Sequence, residues 1–166
     1  MNSKKRVAFI DLEDTVIAPV LQGWPAAEPI ALANTVRQFL EVWQPDEVRV
    51  FSFAIHSEED LKGFESHVQP WLERLLGFKI AQRPQTIQDI IEEVSKMRRL
   101  HPSKVGFSDL VDFLGKGGAF KECMRSEGRK NDGDLEVVLL DDCVEDETFE
   151  FPAVGVVGRL VNVERL

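Results

Sequence analysis

The chain has 166 residues, 43% hydrophobic and 30% charged, and carries a formal net charge of −9. That length suits a single domain with a substantial core and is too short for two full-sized ones. The acidic balance argues against a non-specific nucleic-acid binder, which gains affinity by setting Lys and Arg against backbone phosphates, but it does not exclude a phosphate substrate at a metal-bearing pocket.

No apolar run approaches the roughly 18–20 residues needed to span a bilayer. The N-terminus, Met1 to Arg6, is basic, but acids follow at Asp11, Glu13 and Asp14 where a secretory signal would carry a longer apolar stretch. The expectation is a cytoplasmic protein with no membrane partner. Cys123 and Cys143 are the only cysteines, and they form no CxxC or Cys/His ligand spacing, so both read as reduced thiols.

Val7-Ala8-Phe9-Ile10 is an apolar run ending at an acid, which predicts a buried strand with Asp11 at its carboxyl end. Prolines and Gly23 keep the chain from Ala18 to Pro29 irregular. Leu32, Val36, Phe39, Leu40 and Trp43 share one face of a predicted helix over 32–43. A second apolar strand is expected from Val48 to Phe53. Ser57 followed by three acids reads as a helix start, with helix continuing to Leu76 and ending at Gly77. Phe78 to Ala81 is read as a short third strand. An amphipathic helix is expected over 86–100, then a short one over 107–114.

The Gly115–Gly118 turn is expected to lead into a helix reaching about Ser126, with a solvated loop over 127–134. Leu135 to Leu140 is the clearest strand, again ending in acids at Asp141-Asp142. The Val-rich tail over 153–163 is read as the last strand. Strands alternating with helices predict an α/β fold, Rossmann-like and three-layered, with a mainly parallel central sheet. Residues 1–166 form one domain in this reading, with 84–114 as a small helical insert. Ligands of such sheets collect beyond the carboxyl ends of the strands, where Asp11, Ser52 and Asp141-Asp142 fall.

Each of these groups has a chemical and a plainer reading. Asp11 can attack phosphorus and bind a metal, with Glu13 protonating the leaving oxygen; Glu13 and Asp14 also fit a turn cap. Ser52 can donate to a phosphate oxygen or serve the fold alone. Lys116, set among glycines before a helix, can neutralise a phosphate, or be solvated in its loop. Lys121 and Lys104 are weaker candidates for the same role. Two carboxylates at the end of a buried strand call for a metal or a basic partner, because burying them unpaired is costly. Trp24 reads as a stacking platform for a base or sugar, or as a loop anchor. His56 reads as a substrate contact or as part of a helix start.

In order and spacing, these groups resemble the four-motif pattern of haloacid dehalogenase-like phosphatases. The apolar strand before Asp11-Leu12-Glu13-Asp14-Thr15 is similar to the first motif, Ser52 to the second, Lys116 to the third and Leu139-Leu140-Asp141-Asp142 to the fourth. Lys116 lies 25 positions before Asp141. The resemblance covers the chain from about Val7 to Asp146.

It implies an Mg²⁺-dependent phosphohydrolase in which Asp11 is nucleophile and metal ligand, the Glu13 carbonyl and Asp141 or Asp142 complete the metal site, and Ser52 and Lys116 hold phosphoryl oxygens. Thr15 joins Trp24 and His56 as an expected substrate contact. The expected substrate is a nucleotide, a nucleic-acid end or another phosphate ester. The short insert implies an open site, unless oligomerisation covers it. Glu13 departs from the family's usual second Asp, and misplacing a catalytic group by roughly 1 Å can cost on the order of 10²-fold. The alternative is therefore an impaired relative that binds a phosphorylated ligand or a protein partner.

Overall fold

Alternation within two apolar runs sets the architecture. A computed structural model describes residues 4–166. In β1 (Lys5–Ile10), Ala8 and Ile10 face one side of the sheet, and Val7 and Phe9 face the other. In β3 (Leu135–Asp141), Val138 and Leu140 join the first side, and Val137 and Leu139 the second. A strand with apolar groups on both faces must be covered on both, which parallel strands joined by helices achieve.

Five strands form one sheet in the order β2-β1-β3-β5-β4, where β2 is Glu47–Val50, β4 Glu147–Phe151 and β5 Val156–Asn162. All neighbouring pairs are parallel except β4 with β5. Helices α1 (Leu32–Trp43), α2 (Glu58–His67) and α3 (Gln69–Leu76) share the core of the first face. Helices α4 (Ile87–Met97) and α6 (Gly115–Lys130) share that of the second, with Phe120 edge-on to both Phe9 and Phe51. The fold is α/β, Rossmann-like and three-layered. The chain leaves β1 for β2 on one side and returns to β3 on the other, so strand order reverses between β1 and β3, where such sheets open a crevice.

Several boundaries differ from the sequence reading. Strand β2 stops at Val50, and Phe51-Ser52-Phe53 continues as loop. Residues 78–81 form no strand; Ile80 makes one bridge to Val48. The helix expected over 57–76 breaks at Val68, because Pro70 suits a first turn and restricts the residue before it. Helix α6 starts within the glycine run and extends to Lys130, four residues past its expected end. The antiparallel edge strand β4 was hidden inside an acidic stretch.

Residues 84–114 do not stand apart as an insert. Thr86 caps α4 through a reciprocal capping box with Asp89, and Ile90, Ile91 and Val94 pack into the second core. Only the chain after α4 lies over the sheet's carboxyl edge, as α5 (Phe107–Asp109) and a π-helical turn over Leu110–Leu114. No helix of the described residues is long and apolar enough to cross a membrane. Cys123 is buried, Cys143 is exposed, and both are free. The first three residues of the basic N-terminus lie outside the described residues.

Candidate active site

Register brings the first two acids together. Ile10 pairs with Leu140, and the Asp11 amide donates to the Leu140 carbonyl at 3.0 Å. Asp11 therefore follows β1 beside Asp141, the last residue of β3. Residues in register on neighbouring parallel strands project to the same face, about 4.8 Å apart. Two buried carboxylates at that spacing need a cation. Lys116 supplies it: its ammonium contacts Asp11 Oδ1 and lies 2.7 Å from Asp141 Oδ2.

The glycines deliver this lysine. Gly115 takes φ +66, a left-handed conformation that suits glycine, and turns the chain into α6. A Cβ on Gly117 would meet Leu160 Cδ1 at 2.6 Å, so its absence lets the first turn of α6 lie close against β5.

Behind the carboxylates stands Thr15, fully buried. Its hydroxyl lies 3.0 Å from Asp11 Oδ2 and 3.1 Å from Asp142 Oδ1, donating its one proton between them, and accepts from the Asp142 amide at 3.2 Å. Asp141 Oδ1 accepts from the Cys143 amide at 2.7 Å, and the Cys143 thiol donates to Asp142 Oδ2 at 3.3 Å. Both Asp142 oxygens are thus hydrogen-bonded. Asp141 Oδ2 is buried and receives no directed hydrogen bond; it has only the Lys116 charge beside it.

Burial raises the Asp11 carboxyl, the Lys116 ammonium draws it down and Asp141 raises it, which together leave it at about 6. Burial alone would lower the Lys116 pKa, but Asp11 and Asp141 outweigh it and hold the ammonium above its ordinary value. Burial and the hydrogen bond to Asp142 raise the Cys143 thiol to about 11, so it stays protonated. Asp141, Asp142 and Cys143 each bring one donor atom within 4.8 Å of the others. With the thiol protonated, the available donors are carboxylate oxygens, a set suited to a hard divalent cation.

These groups open into a cleft of about 770 Å³ lined by Asp11, Glu13, Ser52, His56, Lys116, Asp141 and Asp142 among others. Ser52 is buried at its floor, and its hydroxyl accepts from the Ala54 amide at 3.1 Å. Glu13 Oε2 accepts from the Val20 amide at 2.8 Å, closing the loop after β1.

Two expected substrate contacts lie elsewhere. Thr15 does not line the cleft; it ties Asp11 to Asp142 from inside the core. Trp24 is also absent from the lining. It packs edge-on to Phe64, and its indole donates to Asp60 at 3.1 Å, which makes it the anchor of its loop. Lys121 reaches the cleft wall but is paired with Glu147 at 2.9 Å, and Lys104 does not line the cleft.

Sequence reasoning missed Cys143 and the rings of Phe53 and Phe107, which line the cleft beside His56. The adjacency of Cys143 to the paired acids was a usable signal; nothing in the sequence singled out the two phenylalanines. In comparisons with known proteins, the chain matches no protein-family model, no curated protein and no solved structure.

Proposed function

We propose that this protein is an Mg²⁺-dependent phosphohydrolase that removes phosphate from a phosphomonoester through an aspartyl-phosphate on Asp11. One observation carries the reading: a single half-buried lysine faces carboxylates at the ends of two adjacent parallel strands, in a cleft that also holds Ser52 and Glu13. The ordered resemblance to haloacid dehalogenase-like phosphatases supports it.

Asp11 and Asp141 would hold the cation, together with the Glu13 carbonyl. Asp142, hydrogen-bonded to Thr15 and Cys143, would orient a metal-bound water or ligate in place of Asp141. The cation, when bound, supplies positive charge against the phosphoryl oxygens.

An Asp11 oxygen attacks phosphorus, the ester P–O bond breaks, and the leaving oxygen takes a proton from the Glu13 carboxylic acid. Water then attacks phosphorus and gives its proton to the Glu13 carboxylate. The P–O bond to Asp11 breaks, which frees phosphate and restores the Asp11 carboxylate. Lys116 and Ser52 hold the phosphoryl oxygens throughout.

The contact between Glu13 and the Val20 amide favours a second reading, in which this acid closes the loop and the site binds a phosphorylated ligand without turnover. Phosphate release from nucleotides, sugar phosphates and phosphorylated oligonucleotides, with Mg²⁺ and with EDTA, separates the two. Release that requires Mg²⁺ and is abolished in Asp11→Asn is the expected result. Mg²⁺-dependent binding of phosphate with no release from any ester would leave the second reading.

A further inference from the structure

The cleft lining combines two unlike groups of residues. Beside the phosphate end, the Phe53 ring centroid lies 5.7 Å from the Lys116 ammonium. Phe107 meets Phe53 edge to face, centroids 6.0 Å apart at 73°, and the His56 ring meets Phe107 at 5.4 Å and 66°. Phe107 is 42% exposed, and Val111, in the turn that follows, 46%. The segment carrying Phe107 is pinned where it starts, because the Gly106 amide donates to Asp109 Oδ2 at 2.7 Å. The result is a row of three rings among the residues that line the cleft.

The rest of the lining is acidic. Seven carboxylates line the cleft against two lysines, and one of those, Lys121, is already held by Glu147. Adding one divalent cation still leaves the acids in excess. A second phosphate or a carboxylate on the substrate would meet that surplus, whereas a neutral flat ring would meet the aromatic row. Pockets that pair a few convergent polar groups with aromatic lining fix the reacting end by the former and choose the remainder by the latter.

We infer that the cleft selects monophosphate esters whose leaving group carries a flat, uncharged aromatic ring, seated on Phe53, Phe107 and His56. This substrate class rests on the phosphohydrolase reading above. A ring bonded directly to the ester oxygen would meet Phe53, the ring beside Lys116, and a base carried on a pentose would meet Phe107, one ring further out.

Two matched pairs test it, using the full chain with Mg²⁺. By calorimetry, phenylphosphonate is expected to bind at least about tenfold more tightly than methylphosphonate, neither being hydrolysable. Phe107→Ala should bring that ratio to within about threefold of unity, and Phe107→Tyr should preserve it. Uridine 5′-monophosphate against ribose 5-phosphate, which share a leaving oxygen, reads the same rings at the distance of a base. A raised ratio of kcat/KM there assigns the ring to a nucleoside, and a raised phosphonate ratio alone assigns it to an aryl ester.

Ratios near unity for both pairs in the wild type would overturn the inference, as would a phosphonate ratio that Phe107→Ala leaves intact. Ring-selective phosphonate binding with no ester hydrolysed would uphold the aromatic subsite while removing the hydrolase reading. No Mg²⁺-dependent binding of either phosphonate would remove both.

Discussion

Replacing Lys116 with Met tests the electrostatic centre directly. The lysine side chain is 14% exposed, and its partners Asp11 and Asp141 are 8% and 1% exposed, so all three charges sit largely out of water. Methionine keeps most of the volume and removes the charge, leaving two adjacent buried carboxylates without a cation. Breaking a buried pair by deleting one partner typically costs about 3–5 kcal/mol. In a domain of this size each kcal/mol lowers Tm by roughly 2–4 °C, so Lys116→Met should melt about 6–20 °C below wild type in EDTA near pH 8.

The loss should shrink near pH 5.5. Asp11, already raised to about 6 and released from the lysine that draws it down, then takes a proton. Saturating Mg²⁺ should recover much of the loss, because a cation held by the two carboxylates restores the missing charge. Differential scanning calorimetry under the three conditions reads each step. A Lys116→Met protein melting within about 1 °C of wild type in EDTA at alkaline pH would refute the reasoning, because the carboxylates would then have no need of their counter-charge.

Three further outcomes follow from the same geometry. Glu13→Gln keeps an oxygen to accept from the Val20 amide but cannot exchange a proton, so it should fold like wild type and lose about 10²-fold or more in phosphate release; unchanged release would remove Glu13 as acid and base. Thr15→Val preserves shape but strips the hydroxyl shared by Asp11, Asp142 and the Asp142 amide, and should cost about 1–3 kcal/mol in urea denaturation and weaken Mg²⁺ binding.

In metal-free protein, Asp11 has a folded-state pKa raised from 3.8 to about 6. Its favourable contribution is therefore fully present below the unfolded value and is lost as pH rises through about 6. Asp11→Asn does not titrate there, so its stability relative to wild type should improve by roughly 2–3 kcal/mol between about pH 4 and pH 7; a flat difference across that window would contradict the burial argument.

Elements with a local signal were legible in the sequence. Helix α1 follows from Leu32, Val36, Leu40 and Trp43 on one face, and its observed bounds match the reading from periodicity. Strands β1 and β3 follow from apolar runs that each end at an acid, because a strand covered on both faces must be apolar at consecutive positions. Strand β4 escaped because an edge strand needs apolar groups on one face only. Phe149 and Phe151 are half-buried between exposed acids, a pattern that reads equally as a solvated acidic stretch. The break at Val68 had a local signal in Pro70, overridden by the continuous helical periodicity around it.

Which candidate residues meet follows from contacts between distant parts of the chain. Asp11 and Asp141 stand 130 positions apart in the chain and become neighbours only through the parallel register of β1 with β3. Lys116 reaches both because the left-handed Gly115 and the bare Gly117 set the start of α6 against β5. The same packing put Thr15, expected from the resemblance as a substrate contact, behind the carboxylates, and put Trp24 into its loop's core, the anchor role that was one of its two sequence readings. It also brought Phe53, Phe107 and His56 into one aromatic row. Sequence pattern reports which faces must be buried, while the site depends on strand register and on how closely a helix end approaches the sheet, and both are settled by contacts far apart in the chain.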